Sequence, residues 1–218
     1  MSKPMSLKAA ERKAFRLNFK DGMLEIQAGL TLLLLGIAGW LGKKGLGPWV
    51  FLAAIALAIV FGGAIVVIKR KISMPRMGRV KYGQARNRRV RILHWIIFGL
   101  VILSILVVAG VRMLAKGGFE FSDQGAVVWA IVIFFSLTLL AVFSGMAYFC
   151  DVPRILVYAI IIGAIPVSYF ALQEYTELDS MFPFWTVGIF LVILGLILFV
   201  RFIRAYPSAS EENAHDVD

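Results

Sequence analysis

Six apolar stretches, each about as long as a bilayer is thick, constrain this chain more than any other feature. They cover roughly residues 23–41, 48–68, 92–113, 125–149, 155–172 and 182–203. A helix needs about 20 apolar residues to cross about 30 Å of hydrocarbon. No Lys, Arg or Asp lies in the middle of any of the six. Backbone groups in lipid must be paired within the segment, which selects helices, and the alternation of a membrane β-barrel is absent. The sequence therefore predicts an all-α fold, a polytopic membrane bundle of six transmembrane helices arranged as three hairpins. Composition agrees, with 60% apolar and 17% charged residues against about 45–50% and about 25% in soluble domains. A soluble enzyme, a disulfide-stapled secreted domain and a nucleic-acid reader are excluded on these grounds. The first block follows about twenty mostly polar residues and precedes no small-residue cleavage site. It is expected to stay as the first span, not to act as a cleaved signal peptide.

Basic residues set the expected orientation. Six precede the first span, ten lie in the 69–91 segment, Arg154 lies between spans 4 and 5, and Arg201 and Arg204 close span 6. The opposite side holds only Lys43, Lys44, Arg112 and Lys116. Nineteen against four places both termini in the cytoplasm and the chain in the cytoplasmic (inner) membrane. Trp40, Trp49, Trp129 and Trp185 fall near the outer ends and Trp95 near an inner end, at interfacial depth. Residues 1–22 form a basic N-terminal segment in which Leu7, Ala10, Ala14 and Leu17 alternate with Lys8, Arg12, Arg16 and Lys20. That spacing predicts an amphipathic helix lying on the inner surface. Residues 23–203 form the transmembrane domain, including a basic cytoplasmic loop at 69–91, and residues 204–218 read as a disordered tail.

Small residues recur at helical spacing: Gly29 and Gly36; Ala54, Ala58 and Gly62; Ala141 and Gly145; Ala159 and Gly163; Gly188 and Gly195. Lipid is as apolar as Leu, so such stripes, where backbones can approach, are expected to carry the packing; a homo-oligomer contact is the other use. Pro166 is expected to kink span 5. With Ser104, Ser136 and Thr138 it falls near mid-bilayer. This seam is either a set of hydroxyls bonded within their own helices or the wall of a small pocket or gate. Glu25, Gln27, His94, Asp151 and Arg154 share the cytoplasmic interface. They read as a structural ion-pair belt, with Glu25 pairing with Arg76 or Arg79, or as a proton or ligand site.

The sequence offers no catalytic set and no cofactor. His94 has no second histidine within the spans, which excludes a bis-histidine haem, and Cys150 is the lone thiol. No nucleophile elbow, P-loop or zinc-protease helix is present. The 69–91 segment is the most unusual part, with ten positive charges and no acid. Arg76, Arg79, Lys81, Arg86, Arg88 and Arg89 are the residues expected to meet anionic lipid or an acidic protein partner, and nucleic acid is not expected.

Three fragments then stand out: Phe19-Lys20-Asp21-Gly22-Met23-Leu24-Glu25-Ile26, Pro75-Arg76-Met77-Gly78-Arg79-Val80 and Arg204-Ala205-Tyr206-Pro207. In these the chain resembles small uncharacterised prokaryotic integral membrane proteins of unassigned function, and the resemblance implies no catalytic residues. The expected function is a non-enzymatic accessory, assembly or regulatory component that docks partners or anionic lipid through its basic surface. The alternative is a small-solute transporter or channel, or the substrate-capturing subunit of a larger importer, using the mid-bilayer seam.

Overall fold

A computed structural model of the chain describes residues 19–47, 49–77, 84–116, 124–176 and 178–206. The described residues are helical and contain no strand. The helices are α1 (Met23–Leu41), α2 (Trp49–Ile68), the short α3 (Met74–Met77), α4 (Gln84–Lys116), α5 (Gln124–Cys150), α6 (Arg154–Tyr175) and α7 (Phe182–Ala205). A wide turn at Gly42–Leu46 follows α1 and breaks at Gly45, whose φ is 89°, and a π-helical turn at Lys69–Ser73 joins α2 to α3. Six of these helices are long and apolar enough to cross a membrane.

Five spans match their apolar stretches to within three residues at each end. The exception is α4, whose 33 residues make a rod about 50 Å long at about 1.5 Å per residue. Its first eight residues, Gln84–Arg91, belong to the segment expected to be a loop. Hydropathy measures only the hydrocarbon crossing, whereas Gln, Ala and Arg sustain a helix in water equally well. The chain divides into two compact units, one made of residues 1–81 and 181–218, the other of residues 82–180.

In the first unit α1 packs antiparallel against α7 and against α2. Glycines carry the α1–α7 seam. Gly22, Gly29 and Gly36 recur every seven residues along one helix end to end, and Gly188 and Gly195 answer them on the other. A Cβ on Gly29 would lie 2.7 Å from the Gly188 carbonyl oxygen and 2.7 Å from Val192. One on Gly195 would lie 2.8 Å from the Ile26 nitrogen. Backbone-to-backbone contact at this range leaves no room for any side chain, and it recovers the dispersion contacts that drive helix association in lipid. Gly36 accepts the Trp185 ring and Gly39 the Met181 side chain in the same manner. On the α2 side, Gly62 makes room for Gln27. Met23, Leu32, Ala38, Ala54, Leu191 and Phe202 are buried in this unit.

In the second unit α5 packs antiparallel against α6, and α4 packs on α5. Gly163 lies against Ser136 and Leu140, and Leu93 lies against Gly145. Ile155, Tyr158, Ala159, Ile162 and Ile165 make the buried face of α6. The helix runs unbroken through Pro166. The α5–α6 turn is a Schellman closure. Val152 N–H donates to the Ala147 carbonyl at 3.1 Å and Asp151 N–H to that of Tyr148 at 3.3 Å. Asp151 sits between them at φ 57°, a left-handed conformation that Asp and Asn tolerate better than most residues. Pro153 then caps α6. At the far end, Trp129 donates to Glu174 at 3.0 Å and packs edge-on against Phe170.

Candidate functional site

Polar chemistry in the first unit gathers where α1 begins, α2 runs into its π turn, and α7 ends. Gly22, at φ 69°, opens α1. The Asp21 carboxylate accepts the Met23 N–H at 3.3 Å, an Asx-type closure that holds the turn. Asp21 and Glu25 are one helical turn apart and both are fully buried. Two carboxylates at this position sit in the favourable field of a helix N-terminus. The Lys69 ammonium, on the π turn, reaches the Asp21 carboxylate at 3.1 Å to one oxygen and 3.5 Å to the other. Ser73, four residues on, is buried, and its hydroxyl has no partner among the described residues.

Arg76 lies seven residues beyond Lys69. Its guanidinium donates to the carbonyls of Ile203 at 3.2 Å and Tyr206 at 3.0 Å. These are among the last carbonyls of α7, which no helical N–H can reach, and a cation there also meets the negative end of the helix dipole. The three fragments singled out in the sequence thus converge: Asp21 pairs with the π turn, and Arg76 caps the helix that ends in Tyr206. The hydrogen bonds described for Arg76 go to backbone. Arg79, the other partner expected for Glu25, lies outside the described residues, as does Lys81.

The interfacial belt divides between the units. Glu25 and Gln27 belong to the first, where the Gln27 amide donates to the Ala58 carbonyl of α2 at 3.2 Å and its own carbonyl oxygen is buried without a described partner. His94, Asp151 and Arg154 belong to the second. His94 is exposed on α4 and its Nδ1 lies 2.7 Å from the Val90 carbonyl, which can only accept, so Nδ1 carries the proton of that hydrogen bond. Asp151 serves the Schellman turn, and Arg154 starts α6, half-buried.

The mid-bilayer seam resolves unevenly. Ser104 donates to the Leu100 carbonyl at 2.9 Å and Thr138 to that of Phe134 at 2.8 Å. Both take the bond within their own helix that hydroxyls in lipid prefer. The Ser136 hydroxyl is buried without a described partner, and the backbone carbonyl of the same residue faces Gly163 on the α5–α6 contact.

Arg70, Lys71, Arg88, Arg89 and Arg91 are exposed. Arg86 lies in α4, but its side chain is outside the described set. Sequence reasoning missed the Asp21–Lys69 pair and the buried Ser73 beside it. The signal available for Asp21 was its position one turn before Glu25 at a helix start. No family model, curated protein or solved structure matches the chain.

Proposed function

We propose that this chain is a non-enzymatic membrane component, accessory, assembly or regulatory in role, that docks anionic lipid or an acidic partner through a basic cytoplasmic surface. One observation carries this reading. Arg70, Lys71, Arg88, Arg89 and Arg91 are exposed, and no acid occurs between residues 69 and 119 to neutralise them. Each such cation near an anionic leaflet contributes about 1 kcal/mol. Arg76 is better understood as a structural cap, so the docking set is these five together with Arg79, Lys81 and Arg86 of the same segment. The proposed setting is the inner membrane, with both termini cytoplasmic, the spans inserted as three hairpins and the N-terminal segment lying on the surface.

The test is the lipid and protein content of the full chain purified in mild detergent. Anionic phospholipid should be enriched over its share of the membrane. Replacing the five exposed residues by Gln should abolish that enrichment. An unchanged lipid profile together with no co-purifying subunit would count against the reading.

The buried Ser136 hydroxyl favours one second reading, a small-solute pathway along the α5–α6 contact. Ser136→Ala would then lower solute flux in vesicles without changing folding, whereas flux that is absent or the same in both forms would count against this reading.

A further inference from the structure

Helix α4 presents one continuous exposed stripe whose chemistry changes in the order of a phospholipid. Arg88, Arg91, Trp95, Phe98 and Ile102 follow spacings of three and four residues, which places them on a single helix face. All five are exposed, with Trp95 at 67% and Phe98 at 55%. Leu93, on the opposite face, is the buried residue of this stretch. Two guanidiniums come first, then an indole packed edge-on against Phe98 at 6.0 Å, then aliphatic side chains. Arg91 and Trp95 are about 6 Å apart along the axis and Trp95 and Ile102 about 10 Å, the order of a phosphate, a glycerol backbone and the first part of an acyl chain. Guanidiniums bind phosphate oxygens in a bidentate manner, and an indole prefers the headgroup boundary.

We propose that this stripe is a binding site for one anionic phospholipid, its phosphate held by Arg88 and Arg91 and its chain laid over Trp95, Phe98 and Ile102. The proposal rests on the docking function above and narrows it to one helix and one ligand class. Charge complementarity carries the choice of occupant: two exposed cations on the stripe of a helix that has no acid, continued by an apolar face that suits a chain and not a soluble acidic protein.

Trp95 reports on the site. The full chain is placed in phosphatidylcholine bilayers with rising fractions of either brominated phosphatidylglycerol or brominated phosphatidylcholine. The quenching lost in Trp95→Phe is the Trp95 signal. For wild type, that signal should saturate at about a five- to thirtyfold lower fraction of the anionic lipid, as one or two engaged arginines imply. Arg88→Gln/Arg91→Gln should bring the two curves together, and Arg88→Lys/Arg91→Lys should keep most of the difference. Neutralising Arg70 and Lys71 should leave it intact. Coincident curves for wild type, or a preference that survives Arg88→Gln/Arg91→Gln, would overturn the site even if the five-residue variant still loses co-purified anionic lipid. Arg88-dependent binding of polyglutamate without any lipid preference would overturn it in favour of an acidic protein partner.

Discussion

Asp21 shows how much a single side chain can do at the edge of a membrane. It closes the turn before α1, stands in the positive field of that helix and neutralises Lys69. Asp21→Asn keeps the shape and removes the charge, so the Lys69 ammonium loses its 3.1 Å contact with a carboxylate. The variant should lose about 1–3 kcal/mol of stability, read as an earlier midpoint when SDS is titrated into mixed micelles. Lys69→Gln added to Asp21→Asn should recover part of that loss, because the second change removes the cation that Asp21 had faced. Two independent midpoint shifts that simply add would show that the pair does not interact. Arg76 acts at the same scale on a different target. Arg76→Gln should leave the carbonyls of Ile203 and Tyr206 without their charged donor, and amide exchange should speed up in the last turn of α7 while the middle of that helix is unchanged.

At the scale of the helix, glycine is informative only where something faces it. Gly29 and Gly63 are both mid-span glycines, yet a Cβ on the first would strike α7 backbone and one on the second meets nothing within 4 Å. Gly29→Ala is expected to cost about 1–3 kcal/mol by forcing α1 and α7 apart. Gly63→Ala is expected to be neutral or to stabilise by up to about 1 kcal/mol through helix propensity. The SDS midpoints of the two variants, compared side by side, check both. Of the stripes seen in the sequence, Gly29, Gly36, Gly188 and Gly195 lie in the α1–α7 seam, with Gly22 extending it, whereas Ala141 is exposed. Their partners were not legible. A glycine has the same hydropathy whether it faces a backbone or a lipid tail, and that difference decides its energetic role.

For the molecule as a whole, orientation is the claim with the widest reach. Nineteen basic residues against four predict that the 69–91 segment, the 154 region and both termini share one side. In a Cys150→Ser background, single cysteines at Arg70 and Glu212 should be labelled by an impermeant reagent only in inside-out vesicles. A cysteine at Leu46 should be labelled only in the right-side-out form. Labelling of positions 70 and 212 from opposite faces would remove the basis for a cytoplasmic docking surface.

Sequence alone determined that there are six helices long and apolar enough to span a membrane and, for five of them, where each begins and ends to within a turn. Hydrocarbon imposes its requirement on each segment separately: a run of sufficient length must be apolar and must satisfy its own backbone. Only the tertiary structure decided that α1 meets α7 along glycines, that Asp21 takes Lys69, that Arg76 caps α7, and that Ser104 and Thr138 turn back on their own helices while Ser136 does not. These choices depend on which helices become neighbours. Because lipid solvates a Leu face as well as another helix does, hydropathy cannot rank those pairings. Shape and a few hydrogen bonds between residues distant in sequence do.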